Sequence, residues 1–324
     1  MGKLFLGLIA VILFAGCSLM ANQQPVISDQ QPVIEQEKPC RVKYHKLYET
    51  SRFMVVEGRL GEANKSYAVI LDTGASQPII VKGANIFDKR QVQPLQADTV
   101  NLNGYNLGSC NLAKLQIGDT TFENWPCVYL EKRMKLAVFG LSGHADDSII
   151  MGVPALSKFN YIAFDSIAKE VEFSRDKAFE PSLPPLWMHY KLHIETDFHG
   201  NMFLFVELPL AGQMTELQLD TGSGNGLAIR EELWEKMQRG PTMANISLKN
   251  SKELYPYIGQ LQCRKGIVKS FEVGSRTVKN AMISVFPNNS PLLTECEGMI
   301  GMQYFRDTIM VLDFENKLMW VRST

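Results

Sequence analysis

Short runs of alternating apolar and polar residues fill most of the chain, the period-two pattern of half-buried strands. Leu115-Gln116-Ile117-Gly118-Asp119-Thr120-Thr121-Phe122-Glu123-Asn124 predicts a strand, a glycine turn and a second strand. Phe271-Glu272-Val273-Gly274-Ser275-Arg276-Thr277-Val278-Lys279-Asn280 predicts the same unit again. Three further segments recur in register. Phe53-Met54-Val55-Val56-Glu57 answers Phe203-Leu204-Phe205-Val206-Glu207, Ile149-Ile150-Met151-Gly152 answers Gly298-Met299-Ile300-Gly301, and Ala163-Phe164-Asp165 answers Val311-Leu312-Asp313. The pattern predicts a duplicated, all-β protein. One helix interrupts it, over Arg230-Glu231-Glu232-Leu233-Trp234-Glu235-Lys236-Met237, where good helix formers stop at Gly240-Pro241.

The duplication sets the expected domains. Residues 43–175 form a first lobe and 188–324 a second. Residues 176–187 form a linker, because Glu180-Pro181-Ser182-Leu183-Pro184-Pro185 cannot sit inside a sheet. The triplets Asp72-Thr73-Gly74 and Asp220-Thr221-Gly222 resemble those of retropepsin-like aspartic peptidases, and that resemblance implies two homologous β-barrel lobes related by a pseudo-twofold axis, with the site at their interface.

The N-terminus follows different rules. Residues 4–15 are almost unbroken apolar chain, too short for a comfortable membrane span, and Lys3 is the only charge before Cys17. Residues 1–16 read as a signal peptide. Leu13-Phe14-Ala15-Gly16-Cys17 resembles a bacterial lipobox, which implies lipidation of Cys17 and a membrane anchor without a span. Ser18 then implies outer-membrane placement facing the periplasm in a Gram-negative cell. Residues 17–42 read as a flexible tether, with Gln24-Pro25-Val26-Ile27 repeated as Gln31-Pro32-Val33-Ile34.

Composition removes several classes of function. The 324 residues carry 33 Lys+Arg against 34 Asp+Glu, a net charge of −1, which lacks the basic excess of a phosphate-neutralising nucleic-acid binder. Apolar residues at 45% and charged residues at 21% exclude global disorder. Six cysteines without a CxxC pair and five histidines without HExxH announce no zinc site, and no metal or cofactor is expected. Five cysteines remain after Cys17, so at least one thiol has no partner within the chain. His189, His193 and His199 cluster near Asp197 in the sequence and read as the polar face of a strand. Gly222, Gly224 and Gly226 imitate a nucleotide loop, but Leu227 stands where the dinucleotide fingerprint needs glycine.

The chemistry lies in a triplet that each unit carries after an apolar strand: Asp72-Thr73-Gly74-Ala75 and Asp220-Thr221-Gly222-Ser223. Gly152 follows Asp72 by 80 positions, and Gly301 follows Asp220 by 81. One such triplet arises by chance in roughly one chain in twenty of this length. Two at equivalent points of a repeat call for a shared cause.

Across residues 50–322 these motifs resemble the aspartic peptidases of the pepsin and retropepsin superfamily, with the short lobes closer to the retropepsin kind. The resemblance implies a dyad of Asp72 and Asp220 sharing one proton, since two carboxylates about 3 Å apart cannot both ionise. It implies that Thr73 and Thr221 lock the two loops together, and that Gly74 and Gly222 bring backbone N–H groups to the carboxylates. Gly152 and Gly301 would pass beside the loops in a psi-shaped support. Ser223 would place a hydroxyl on an ionised carboxylate where Ala75 has none, extending activity to milder pH.

Asn103-Gly104 signals a hairpin turn, and Gly259 lies at a similar distance before the second unit's turn. Gly104, Tyr105, Tyr257 and Gly259 are therefore candidate flap and substrate residues. The expected activity is endopeptidase hydrolysis of a peptide or protein substrate by a monomer, held at the membrane through its lipid anchor and with no nucleic-acid partner. The alternative is a peptide- or protein-binding lipoprotein on the same fold without turnover. A zymogen covered by residues 18–50 ranks below both, because that segment lacks basic clusters to pair with a dyad.

Overall fold

The structure is a computed structural model that describes residues 31–36, 38–61, 66–76, 78–82, 93–94, 101–102, 105–130, 135–138, 141–144, 149–198, 200–210, 212–239, 246–255, 259–273, 276–293 and 296–323. The chain is mostly β, in two large mixed sheets and one small hairpin. No helix among the described residues is long and apolar enough to cross a membrane.

Strand pairing in the first half of the chain is repeated in the second. Val55–Leu60 runs antiparallel to Ser66–Leu71, which lies parallel to Ile149–Met151. Ile149–Met151 runs antiparallel to Ile79–Lys82, which lies parallel to Thr120–Leu130 of a long hairpin with Tyr105–Ile117. In the second half, Met202–Leu210 runs antiparallel to Gln213–Asp220, which lies parallel to Gly298–Gly301. Gly298–Gly301 in turn runs antiparallel to Leu227–Arg230, which lies parallel to Arg276–Phe286 of a long hairpin with Gly259–Val273. A parallel pair cannot be joined by a tight turn. Each Asp-bearing strand therefore recruits its parallel neighbour from about 80 residues downstream.

The halves meet in one sheet, in which Tyr161–Asp165 pairs antiparallel with Thr308–Asp313. Ala163 stands opposite Val311, its own counterpart in the repeat 148 positions on. The loops that follow also match: Lys169 and Lys317 are both left-handed, at φ 55° and 57°. So do Asn124 and Asn280, at φ 52° and 53°. Backbone geometry that costs energy in a non-glycine residue is thus repeated at equivalent points.

The apolar positions that set the strand pattern form the core. Leu71, Leu115, Ile117 and Phe122 of the first half and Leu217, Leu219, Ile283 and Ile300 of the second are fully sealed. The helix forms over Glu231–Gln238 and buries Leu233, Trp234 and Met237, while Arg230 ends the preceding strand instead of opening the helix. Gly240 and Pro241 lie outside the described residues.

The expected tether is corrected at its C-terminal end. Val33–Glu35 pairs with Thr120–Leu130, and Cys40–Lys43 pairs with Glu170–Ser174. Burial of Ile34 and Cys40 rewards that order. Residues 1–30, with Cys17 and the first copy of the Gln-Pro-Val-Ile repeat, lie outside the described residues. Along the expected linker, Pro184–Leu186 makes a short 3-10 turn, and Phe179 packs against Tyr161, Trp187 and Trp320.

Candidate active site

Asp72 and Asp220 each stand at the end of a strand whose inward residues are sealed in the core, so neither backbone has room to drift. The Asp72 N–H donates to the Met151 carbonyl at 2.9 Å, and Asp220 stands in register with Gly301 across the equivalent parallel pair. After each Asp the chain turns sharply: Ala75 N–H donates back to Asp72 O at 3.2 Å, and Ser223 N–H to Asp220 O at 3.3 Å.

The supporting glycines hold these turns in the same way in both halves. Gly152 N–H donates to Pro78 O and Gly301 N–H to Gly226 O, at 3.1 and 2.9 Å. One residue later, Val153 N–H donates to Ala75 O and Met302 N–H to Ser223 O, at 3.0 and 2.8 Å. Gly301 has no space for a side chain, since a Cβ there would lie 2.5 Å from Asn225 O. The glycine run after Asp220 is occupied by this packing, which removes the nucleotide-loop appearance of Gly222, Gly224 and Gly226.

Thr73 and Thr221 join the two turns directly. Thr73 N–H donates to Thr221 Oγ1 at 3.0 Å, and Thr221 N–H donates to Thr73 Oγ1 at 3.0 Å. Each hydroxyl then donates past its partner, Thr73 Oγ1 to Leu219 O at 2.6 Å and Thr221 Oγ1 to Leu71 O at 2.7 Å. Both threonines are fully buried, so these four bonds have no competition from water.

Gly74 and Gly222 bring the carboxylates together. A Cβ on Gly74 would lie 2.6 Å from Asp220 Cγ, and a Cβ on Gly222 would overlap the carboxyl carbon of Asp72. Each triplet's glycine is therefore seated against the other triplet's carboxylate. Asp72 Oδ1 accepts the Gly74 N–H at 2.9 Å. Asp220 Oδ1 is sealed and meets no hydrogen-bond donor among the described residues. Burial, then the Asp72 charge and a hydrogen bond with the Asp72 carboxyl, push Asp220 well above the ordinary aspartate range. The backbone N–H groups of Gly222 and Ser223 pull weakly the other way. Such a pair titrates as a unit and shares its proton.

Other expected positions divide. Ser223 Oγ accepts the Asn225 N–H at 3.3 Å, and Ser223 reaches Asp220 through its backbone N–H. Leu102 pairs with Tyr105 across Asn103-Gly104, and Tyr255 pairs with Gly259 across 256–258. Gly104 and Tyr257 themselves lie outside the described residues, and Tyr105 is described only as strand.

A residue not singled out in the sequence feels the charge of Asp220. Tyr255 packs edge-on against Phe286, with ring centres 5.9 Å apart, and its hydroxyl donates to Glu253. Burial, Glu253 and, more weakly, the nearby Asp220 charge push its hydroxyl pKa well up. Glu253 is itself buried, and is held by Lys265 Nζ and Ser284 Oγ at 2.6 Å each. The only sequence signal for Tyr255 was its position two residues before Tyr257.

The histidines do not gather as the sequence placed them. His189 lies against Trp320, Asp197 accepts two bonds from Asn201, and His199 is outside the described residues. His193 instead reaches Glu216 and Glu195, at 3.2 and 3.6 Å, forming a group whose donor atoms lie within 4.8 Å of one another. A cation on its Nε2 would force the proton onto Nδ1, which is buried without a partner. That arrangement costs about 1–3 kcal/mol, so the group reads as a histidine–carboxylate contact.

No family model and no curated protein matches the chain. Among solved structures it is similar to basic 7S globulin from soybean, at 6% identity over 89% of this chain and 95% of that one, with a TM-score of 0.47. It is also similar to conglutin gamma, a unique basic 7S globulin from lupine seeds, at 7% identity over 91% and 96%, with a TM-score of 0.48. Membership of the pepsin and retropepsin superfamily on a bacterial lipoprotein, expected from the motifs, is corrected here. No model of such a family matches, and the similar structures carry the names of seed globulins. Two triplets and two glycines are too few residues to carry a family assignment. What the site can do rests on its own geometry.

Two expectations test that geometry. Thr73→Val would strand the Thr221 N–H and the Leu219 carbonyl, and should lower stability by roughly 2–4 kcal/mol in urea unfolding. Asp220 binds its proton more tightly folded than unfolded, so stability should fall as pH rises from the ordinary aspartate range through the raised folded value. Asp220→Asn should remove that fall. Unfolding at pH 7 should show a gain in stability for this variant, and unfolding at pH 3 should show almost none.

Proposed function

We propose that the protein hydrolyses peptide bonds by water attack at the Asp72–Asp220 pair, as an aspartic-type endopeptidase. The observation that carries this reading is the reciprocal seating of Gly74 on Asp220 and Gly222 on Asp72, which holds two half-buried acids together. A binding module gains nothing from two carboxylates that must share a proton, whereas hydrolysis needs one ionised and one protonated carboxyl side by side.

The two carboxyls share one proton, which belongs to the pair. The ionised one takes a proton from the attacking water, and the protonated one hydrogen-bonds the scissile carbonyl as charge builds on its oxygen. The water oxygen bonds to the carbonyl carbon and gives a tetrahedral diol. Transfer of a proton to the leaving nitrogen then breaks the C–N bond. The finer reading of the fold belongs to this proposal: two homologous β-barrel lobes about a pseudo-twofold axis, with the dyad where they meet. The matched pairings, and Ala163 standing opposite its own counterpart, support it.

The rival reading is a peptide-binding protein without turnover, and activity decides between them. With a peptide library, Asp72→Asn and Asp220→Asn should each lower turnover at least about a hundredfold while leaving the fold intact by circular dichroism. Full activity in either variant, or no cleavage by the parent protein across the acid range, would overturn the hydrolase reading. The proposal also covers place of action, at a membrane surface through Cys17. Cys17→Ser should move the protein from the membrane pellet to the soluble fraction, and an unchanged distribution would remove that part.

A further inference from the structure

Five of the six cysteines lie within the described residues, all of them buried. Three have separate surroundings. Cys40 Sγ donates to Ile117 O and receives the Asp119 N–H. Cys296 Sγ lies 3.8 Å from Gln218 Oε1. The Cys263 thiol is pushed up to about 11, by burial first and then by the Glu253 charge.

Cys110 and Cys127 differ from these. They stand directly opposite each other on the two strands of the first long hairpin, 17 positions apart, with their sulfurs 2.9 Å from one another. Both side chains are sealed, at 1% and 2% exposure. Residues directly opposite in an antiparallel pair have Cα atoms about 4.5–5.5 Å apart, inside the window a disulfide requires. Nothing has to move in the backbone for a bond to form.

We propose that Cys110 and Cys127 close a disulfide that staples this hairpin. The proposal does not rest on the peptidase reading. Two thiols lose two electrons to an external disulfide of the glutathione type. One thiolate attacks it, a mixed disulfide forms and one thiol is released. The second cysteine sulfur then displaces the other thiol, so each released thiol carries one of the two protons lost. In the folded hairpin, burial pushes the Cys127 thiol well up, which suppresses the attacking thiolate. The bond therefore closes while the hairpin is still open and is afterwards shielded from reductant. It sits between the Gly118 turn and the far end of the hairpin, where Tyr105 pairs with Leu102, and braces that arm at its middle. The odd cysteine count then has a physical reading: one bridge, with Cys40, Cys263 and Cys296 outside it among the described residues.

The test is made on full-length protein refolded with oxidised glutathione, then denatured and alkylated without reductant. Peptide mapping should recover one linked peptide joining Cys110 to Cys127, with Cys40, Cys263 and Cys296 alkylated. Reductant present during refolding should lower the melting temperature by roughly 5 °C, and the Cys110→Ala/Cys127→Ala double variant should show no such dependence. Alkylation of both Cys110 and Cys127 after oxidative refolding, or linkage of either to another cysteine, overturns the pairing. Equal melting temperatures for bridged and reduced parent protein overturn the staple. The peptide map reads the parent chain and so does not depend on a variant folding.

Discussion

Two half-buried carboxylates side by side repel each other whenever both are ionised. The exchange between Thr73 and Thr221 opposes that. Each threonine uses its hydroxyl twice, accepting the partner's N–H and donating to a carbonyl one residue before the partner's aspartate. The two loops are thereby tied through backbone and side chain at once, at the position next to the repelling groups. Four bonds without solvent competition exceed what one like-charge contact with a shared proton costs. Valine has the shape of threonine but neither donates nor accepts, so shape alone does not select these residues.

The glycines complete the constraint from the other side. Thr73 and Thr221 set how far apart the loops sit, and the absence of a side chain at Gly74 and Gly222 lets each carboxylate fill the space beyond. Further out, Gly152 and Gly301 carry the downstream strands past the loops, and the residues after them donate into Ala75 and Ser223. The order of causes runs from apolar strands that fix the ends of Leu71 and Leu219, through threonines that fix the gap, to the acids that occupy it. The geometry of the acid pair follows from packing that is indifferent to its chemistry.

The sequence made this centre legible because each part of it is a residue type with one dominant physical use. A triplet after an apolar strand, repeated with an apolar-apolar-glycine segment about 80 positions later, leaves few foldings open. What it concealed depends on long-range pairing. Val33–Glu35 and Cys40–Lys43 read as tether, because three or four residues show no period, and only their partners in Thr120–Leu130 and Glu170–Ser174 make them strands. Tyr255 and Glu253 become a hydrogen-bonded pair, with Glu253 buried, only when Lys265 and Ser284 arrive from the second hairpin. Cys110 and Cys127 could not be matched by counting, since register across a hairpin is set by its turn and its pleat. The family name failed for a related reason: the motifs cover a dozen positions, and no family model matches the chain.

The spacing of the repeat shows which parts of the chain the centre constrains. The offset between equivalent residues is 148 at Asp72 and Asp220, and again at Ala163 and Val311. It widens to 156 at Gly118 and Gly274, then narrows to 149 at Gly152 and Gly301. Insertions and deletions have therefore accumulated in the connections on either side of the hairpins, and have cancelled by the time the chain returns to the loops and to the shared sheet. Loop length costs little in closure entropy, so connections are free to vary. Elements that must meet their own counterparts have no such freedom, because a slip of one residue turns every side chain to the opposite face. The register that brings Ala163 opposite Val311 is the register that brings Thr73 to Thr221, and a change in one half that kept its own core intact would still part the two acids unless the other half moved with it.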